Sequence, residues 1–182
     1  GIGKSRLLAD FAQALHRSPT FGARPGDAAL PYALLARIVR GIEQGYGRPG
    51  TPWARFELAR IVPEFGDPPH TKLAPLRLQQ AVAQALADWR IVGLTLLAID
   101  DLQFADDATL EFLLPLVGTP AEPRFVWLLA ARAHEMPARL AEWLAADGAA
   151  EVQRVALGPL DLPAVQALLV SLALPGLDTA AW

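Results

Sequence analysis

The sequence predicts an α/β fold built on a mostly parallel sheet. Two largely apolar runs of strand length, residues 94–99 (broken only by Thr95) and 125–131, lack polar alternation, as in strands buried on both faces of a parallel sheet. Longer stretches with apolar residues at helical spacing alternate with them. Composition agrees: of 182 residues, 53% are hydrophobic and 19% charged, which excludes a disordered chain and requires a large core. The length suits one domain with the beginning of a second.

The elements follow in order. Residues 4–16 read as a helix, with Leu7, Leu8, Phe11 and Leu15 at helical spacing, and residues 20–23 as a short strand. Residues 24–31, rich in Gly, Pro and Asp, read as a loop, and 32–44 as a helix broken by the Gly- and Pro-rich 45–52. A helix over 53–62 ends at Pro63, a loop covers 66–70, and 76–89 is amphipathic and helical. The buried strand 94–99 ends in Asp100 and Asp101. Residues 107–117 are helical despite Pro115, with Asp106 and Asp107 as helix caps. Residues 125–131 form a second buried strand, 137–146 a helix closed by Gly148, and 152–157 a third strand. Asp161 caps a last helix over 162–174, which Pro175 and Gly176 end.

Several function classes drop out. The formal net charge of −3 argues against a nucleic-acid-binding surface in this segment. With no cysteine, neither disulfides nor a cysteine zinc site form, and a reducing cytoplasm fits. No apolar run approaches the roughly 18 residues of a membrane span. His16, His70 and His134 have no metal-ligand spacing and read as surface residues. Trp53, Trp89, Trp127 and Trp143 read as packing residues.

Chemistry concentrates in two places. The chain opens Gly1-Ile2-Gly3-Lys4-Ser5, and Gly3, Lys4 and Ser5 fill the last three positions of a G-x-x-x-x-G-K-[S/T] phosphate loop. A glycine there lets backbone N–H groups approach phosphate oxygens, Lys4 sets a positive charge against the β- and γ-phosphates, and the Ser5 hydroxyl is a Mg²⁺ ligand. The helix that follows points its positive end at the phosphates. The first glycine of such a loop would lie upstream of Gly1. The bland alternative is a glycine turn before an ordinary helix.

The second place is the run Leu96-Leu97-Ala98-Ile99-Asp100-Asp101, an apolar strand ending in two carboxylates. Asp100 is placed to hold Mg²⁺, mostly through water, and Asp101 to polarise the attacking water. Adjacent acids at the carboxyl end of a parallel strand suit this better than a single helix cap, because ligands bind at that edge. Arg132 follows the next strand, either reaching the γ-phosphate or capping the strand at the surface. Pro159 either packs on adenine or makes an ordinary turn. Arg77 is a solvated helix residue or a finger toward a neighbour's nucleotide. Thr71-Lys72-Leu73-Ala74 lacks the acid of an N-K-x-D guanine motif, so ATP is preferred over GTP.

Together these residues resemble the STAND-type AAA ATPase domains of bacterial regulators, also grouped with origin-recognition-like AAA ATPases. The resemblance runs over almost the whole chain. It rests on Gly1-Ile2-Gly3-Lys4-Ser5-Arg6-Leu7-Leu8, Pro31-Tyr32, Ile61-Val62-Pro63-Glu64, Ile99-Asp100-Asp101-Leu102-Gln103-Phe104-Ala105-Asp106 and Leu157-Gly158-Pro159-Leu160. Phe104 stands where the family usually has Trp.

The resemblance implies a P-loop NTPase three-layer sandwich. Its core would span residues 1–158, with its first strand missing, and 159–182 would begin a helical lid. It implies a cytoplasmic switch that binds ATP and Mg²⁺ and hydrolyses ATP slowly. Nucleotide contacts fall to Gly1, Ile2, Gly3, Lys4, Ser5, Arg6 and Pro159, metal contacts to Ser5 and Asp100, and catalysis to Lys4, Asp101 and the sensor Arg132. Self-association through this domain is expected. DNA contact would come only through an output domain outside the chain, such as a LuxR-type helix-turn-helix, with nucleotide cyclases as another output. A non-hydrolysing ATP-binding scaffold and an AAA loader acting on DNA are the alternatives; aspartate at 101, where glutamate is commoner, keeps the scaffold open, and the acidic balance speaks against the loader.

Overall fold

A computed structural model describes residues 3–14, 18–119, 125–146 and 152–171. The chain divides into two units: one is Ser5–Val152, and the other gathers Gly1–Lys4 with Gln153–Trp182. The larger unit is α/β, a parallel sheet with helices packed against it. Three short strands, β1 (Thr20–Gly22), β2 (Leu96–Asp100) and β3 (Val126–Leu129), form a parallel sheet in the order β1-β2-β3. The register pairs Gly22 with Asp100 and Ile99 with Leu129, so all three strands end at one edge.

The period of two along a strand sorts its side chains between the two faces. Leu96 and Ala98 of β2 join Leu8 and Ala12 of α1 (Lys4–Ala14), with Leu128 and Ala130 beside them. Leu97 and Ile99 face the larger core, which is built by the helices α2 (Ala33–Tyr46), α3 (Pro52–Leu58), α4 (Pro75–Ile91), α5 (Asp107–Val117) and α6 (Ala138–Ala145). All five residues of β2 are buried, which is why that run carries no polar alternation.

Local chemistry explains the helix entries. Pro52 and Pro75 start α3 and α4 with φ already set. The first turn of α2 has no cap of its own, because Tyr32 before it is left-handed (φ 64°, ψ 13°). Its free amides go to Asp106, 2% exposed, which also caps α5. Asp106 Oδ1 accepts from Tyr32 N–H at 2.7 Å and Thr109 N–H at 2.8 Å, while Oδ2 accepts from the Thr109 hydroxyl at 2.7 Å and Leu34 N–H at 3.4 Å. The Tyr32 ring stacks on Phe112 of α5 with centroids 5.3 Å apart. Gly41 lets α2 lie directly on β1, with the Phe21 ring where a Cβ would be.

Most expected elements form within a residue or two of the expected bounds. The strand expected over 152–157 does not: residues 152–160 have no regular structure, and Val155 is exposed. Apolar alternation creates a strand only where a neighbour takes up the backbone hydrogen bonds, and among the described residues none pairs with this segment. The helix expected over 53–62 stops at Leu58, and Pro63–Phe65 continues as a 3-10 turn because Pro63 withholds its N–H. A second such turn, Asp27–Ala29, sits in the loop over 24–31. In α1 it is Leu8 and Ala12 that reach the sheet, leaving Leu7 and Phe11 about half exposed. Trp89 is buried, but Trp53, expected to pack, stands on the surface of α3. Asp161 caps α7 (Leu162–Ser171), accepting from Ala164 N–H at 2.9 Å. His16, Gly148, Pro175 and Gly176 lie outside the described residues.

Candidate functional site at the carboxyl edge of the sheet

Asp100 is the last residue of β2, and hydrogen bonds from both neighbouring strands fix the backbone around it. Ala23 N–H, past β1, donates to Asp100 O at 3.0 Å, and Leu102 N–H donates to Ala130 O, past β3, at 3.0 Å. The Asp100 side chain is buried in this seam (8% exposed), and its Oδ1 accepts from Asp101 N–H at 2.8 Å. Asp101 then turns the chain with a left-handed backbone, φ 53° and ψ 38°. A short acidic side chain tolerates that region better than most residues do.

The turn brings Gln103 between two strand ends. Gln103 Nε2 donates to Asp101 Oδ1 at 2.7 Å, and Gln103 Oε1 accepts from Arg132 N–H at 3.2 Å. The Arg132 guanidinium pairs with Glu135 at 3.1 Å and lies 5.8 Å over the Phe104 ring. Asp101, Gln103, Phe104 and Arg132 thus form one connected group at the ends of β2 and β3. Sequence reasoning placed Asp101 and Arg132 at strand ends but gave Gln103 no part; an amide two residues beyond the acidic pair was the available signal.

Among the described residues no lysine or arginine pairs with Asp100 or Asp101. The Asp100 carboxylate is buried with a hydrogen bond from Asp101 N–H, and a carboxylate at this edge is the kind of ligand a hard divalent cation takes. No group of three or more acidic or histidine side chains converges among the described residues. Such an ion would take its remaining ligands from water and from an anionic substrate, as Mg²⁺ on a nucleotide does.

The other expected site residues are placed as follows. Gly3 is left-handed (φ 87°), a conformation that favours glycine, and Lys4 begins α1, followed by exposed Ser5 and Arg6. Arg6 pairs with Asp10 at 2.9 Å, one helical turn on. Gly1 and Ile2 lie outside the described residues. Pro159 is exposed in the segment before α7. Arg77 projects from α4 to Glu57 at 3.0 Å, and Arg60 holds the same carboxylate at 2.8 Å. His70 and His134 are exposed, and His134 lies 3.2 Å from Glu135.

At the end of β1 lies a further charged group. Asp27 accepts from Arg37 through both oxygens, at 2.7 and 2.9 Å, and from Arg24 N–H at 2.7 Å. Arg37 also donates to Gly22 O at 2.9 Å. The Arg37 hydrogen bond holds the Asp27 carboxyl below its ordinary value, against the opposing effect of burial. This pair anchors the loop after β1.

No curated protein and no solved structure matches the chain. Among the described residues no helix is long and apolar enough to cross a membrane. A family model described as an AAA ATPase domain matches residues 1–129, which contain the Gly3-Lys4-Ser5 opening, β1, β2 and the acidic pair. With that match over more than half of its length, on an α/β sandwich whose acidic strand ends at the carboxyl edge, the chain belongs to the AAA ATPase domain family.

Proposed function

We propose that the chain binds ATP with Mg²⁺ and hydrolyses it slowly, as the nucleotide-controlled switch of a larger cytoplasmic bacterial regulator of transcription or signalling. The observation that carries this reading is the pair Asp100 and Asp101, uncompensated by any described cation and tied through Gln103 to the Arg132 strand end. Family membership supports ATP as the ligand. Gly1, Ile2, Gly3, Lys4, Ser5 and Arg6 would cradle the phosphates, and Ser5 and Asp100 would hold Mg²⁺ with water.

In the reaction, water attacks the γ-phosphorus while its bond to the bridging oxygen breaks, giving ADP and inorganic phosphate. Asp101 orients the water and takes up its proton. Lys4 balances the charge that develops on the transferring group. Arg132 reports loss of the γ-phosphate once it leaves Glu135, and Pro159 packs against adenine at the start of a helical lid that includes α7. Assembly through this domain would differ between the ATP and ADP states, and DNA contact would be left to an output domain elsewhere.

The test uses the full-length protein with Mg-ATP. Wild type is expected to bind and turn over slowly, Lys4→Ala to lose binding, and Asp101→Asn to bind without turnover. Binding with no hydrolysis by wild type would favour a scaffold, and no nucleotide binding at all would remove the proposal.

A further inference from the structure

We propose that Gln103 is a positioning residue, an amide clasp that orients the Asp101 carboxylate against the end of β3 and so sets the rate of hydrolysis without contributing to nucleotide binding. This rests on the reading of Asp101 as the group that orients the attacking water.

The hydrogen-bond donors and acceptors leave the amide only one orientation. An ionised carboxylate only accepts hydrogen bonds, and a backbone N–H only donates. The Gln103 NH₂ must therefore face Asp101, at 2.7 Å, and its carbonyl must face Arg132 N–H, at 3.2 Å. The clasp ends on the backbone of Arg132, not its side chain, which is occupied by Glu135 and Phe104. Asp101 is thereby tied to the backbone three residues past β3 and not to the guanidinium. Gln103 engages Oδ1 of Asp101, which on this proposal leaves Oδ2 to take the water.

The Asp101 backbone is held on both sides, its N–H donating to Asp100 Oδ1 and its carbonyl accepting from Phe104 N–H, so the side-chain torsion is what remains for Gln103 to fix. A carboxylate displaced by about 1 Å from the line of attack costs on the order of 100-fold in rate.

The experiment compares full-length wild type, Gln103→Ala, Gln103→Glu, Asp101→Asn and the double variant Asp101→Asn/Gln103→Ala, measuring Mg-ATP affinity and steady-state hydrolysis. Gln103→Ala is expected to lower kcat by about 10- to 100-fold with ATP affinity within about twofold of wild type. Gln103→Glu, the same length, sets a carboxylate against a carboxylate and should lose at least as much. In the double variant Gln103→Ala should lower any residual rate no further, because an amide at 101 can still accept from Gln103 but takes up no proton, so its orientation stops setting the rate. A thermal melt of each variant identifies loss of fold, and the isosteric Gln103→Glu keeps the test open if the alanine variant fails to fold.

Wild-type rates in both Gln103 variants with an inactive Asp101→Asn would overturn the clasp and leave the Asp101 reading standing. Weakened ATP binding in Gln103→Ala, or additive losses in the double variant, would make Gln103 a structural residue and overturn it as well. Undiminished hydrolysis by Asp101→Asn, or none by wild type, would remove the Asp101 reading and the clasp together.

Discussion

Replacing Asp106 by alanine should unlatch two helices at once. The carboxylate serves α5 through Thr109 N–H and the Thr109 hydroxyl, and α2 through Tyr32 N–H and, at a long 3.4 Å, Leu34 N–H. The lost cap on α5 costs about 1 kcal/mol. At 2% exposure water cannot replace the carboxylate, so Tyr32 N–H loses its acceptor for roughly 1–2 kcal/mol more. The Thr109 hydroxyl, which also accepts from Leu35 N–H at 3.2 Å, loses its own acceptor and adds about 1 kcal/mol. The sum is about 3–4 kcal/mol. Asp106→Asn keeps one acceptor and should cost about half as much. Urea unfolding followed by tryptophan fluorescence measures both, with buried Trp89 as the reporter. A loss under about 1 kcal/mol for Asp106→Ala would reduce Asp106 to an ordinary single cap and refute its role as the link between α2 and α5.

Three further outcomes follow from the packing. Gly41→Ala forces the Phe21 ring aside and should cost about 1–3 kcal/mol in thermal or urea unfolding; an unchanged midpoint would mean α2 does not rest on β1 as described. Glu57 is 2% exposed and shared by Arg60 and Arg77; Glu57→Ala removes that carboxylate while Arg60 keeps Pro69 O, Thr71 O and the Thr71 hydroxyl, so it should cost about 1–3 kcal/mol, whereas Arg77→Ala should cost under about 1 kcal/mol in the same assay. Asp27 is held below its ordinary 3.8 by Arg37, so its stabilisation is complete above that value and is lost as pH falls through the lower folded value. Asp27→Asn should therefore cost about 1–2 kcal/mol at neutral pH, and the gap to wild type should narrow only below about pH 4, read from melts across pH.

What the sequence made legible follows the range of the interactions. Helices α2, α4 and α5 and strand β2 are local patterns, and the acidic pair shows itself by following a buried strand. Pro115 did not mislead, because near the end of α5 it interrupts little. The bonds from Asp106 to Tyr32 and from Gln103 to Arg132 join residues 74 and 29 positions apart, and no spacing rule reports them. Residues 152–157 carry a strand pattern, but a strand depends on a partner that lies elsewhere in the chain. Leu8 and Ala12, and not Leu7 and Phe11, face the sheet because the helix is oriented by its docking, which periodicity leaves free within one residue.

The left-handed backbone at position 101 narrows the substitutions open to it. Glycine and asparagine accept that geometry at little cost, but both discard the negative charge. Glutamate retains the charge, one base change away, but fits the left-handed region less well, and its extra methylene carries the carboxylate beyond the reach set by Gln103. None of these three replacements keeps charge, reach and backbone together in this chain, so the aspartate, the Gln103 contact and the left-handed turn at 101 form one linked set.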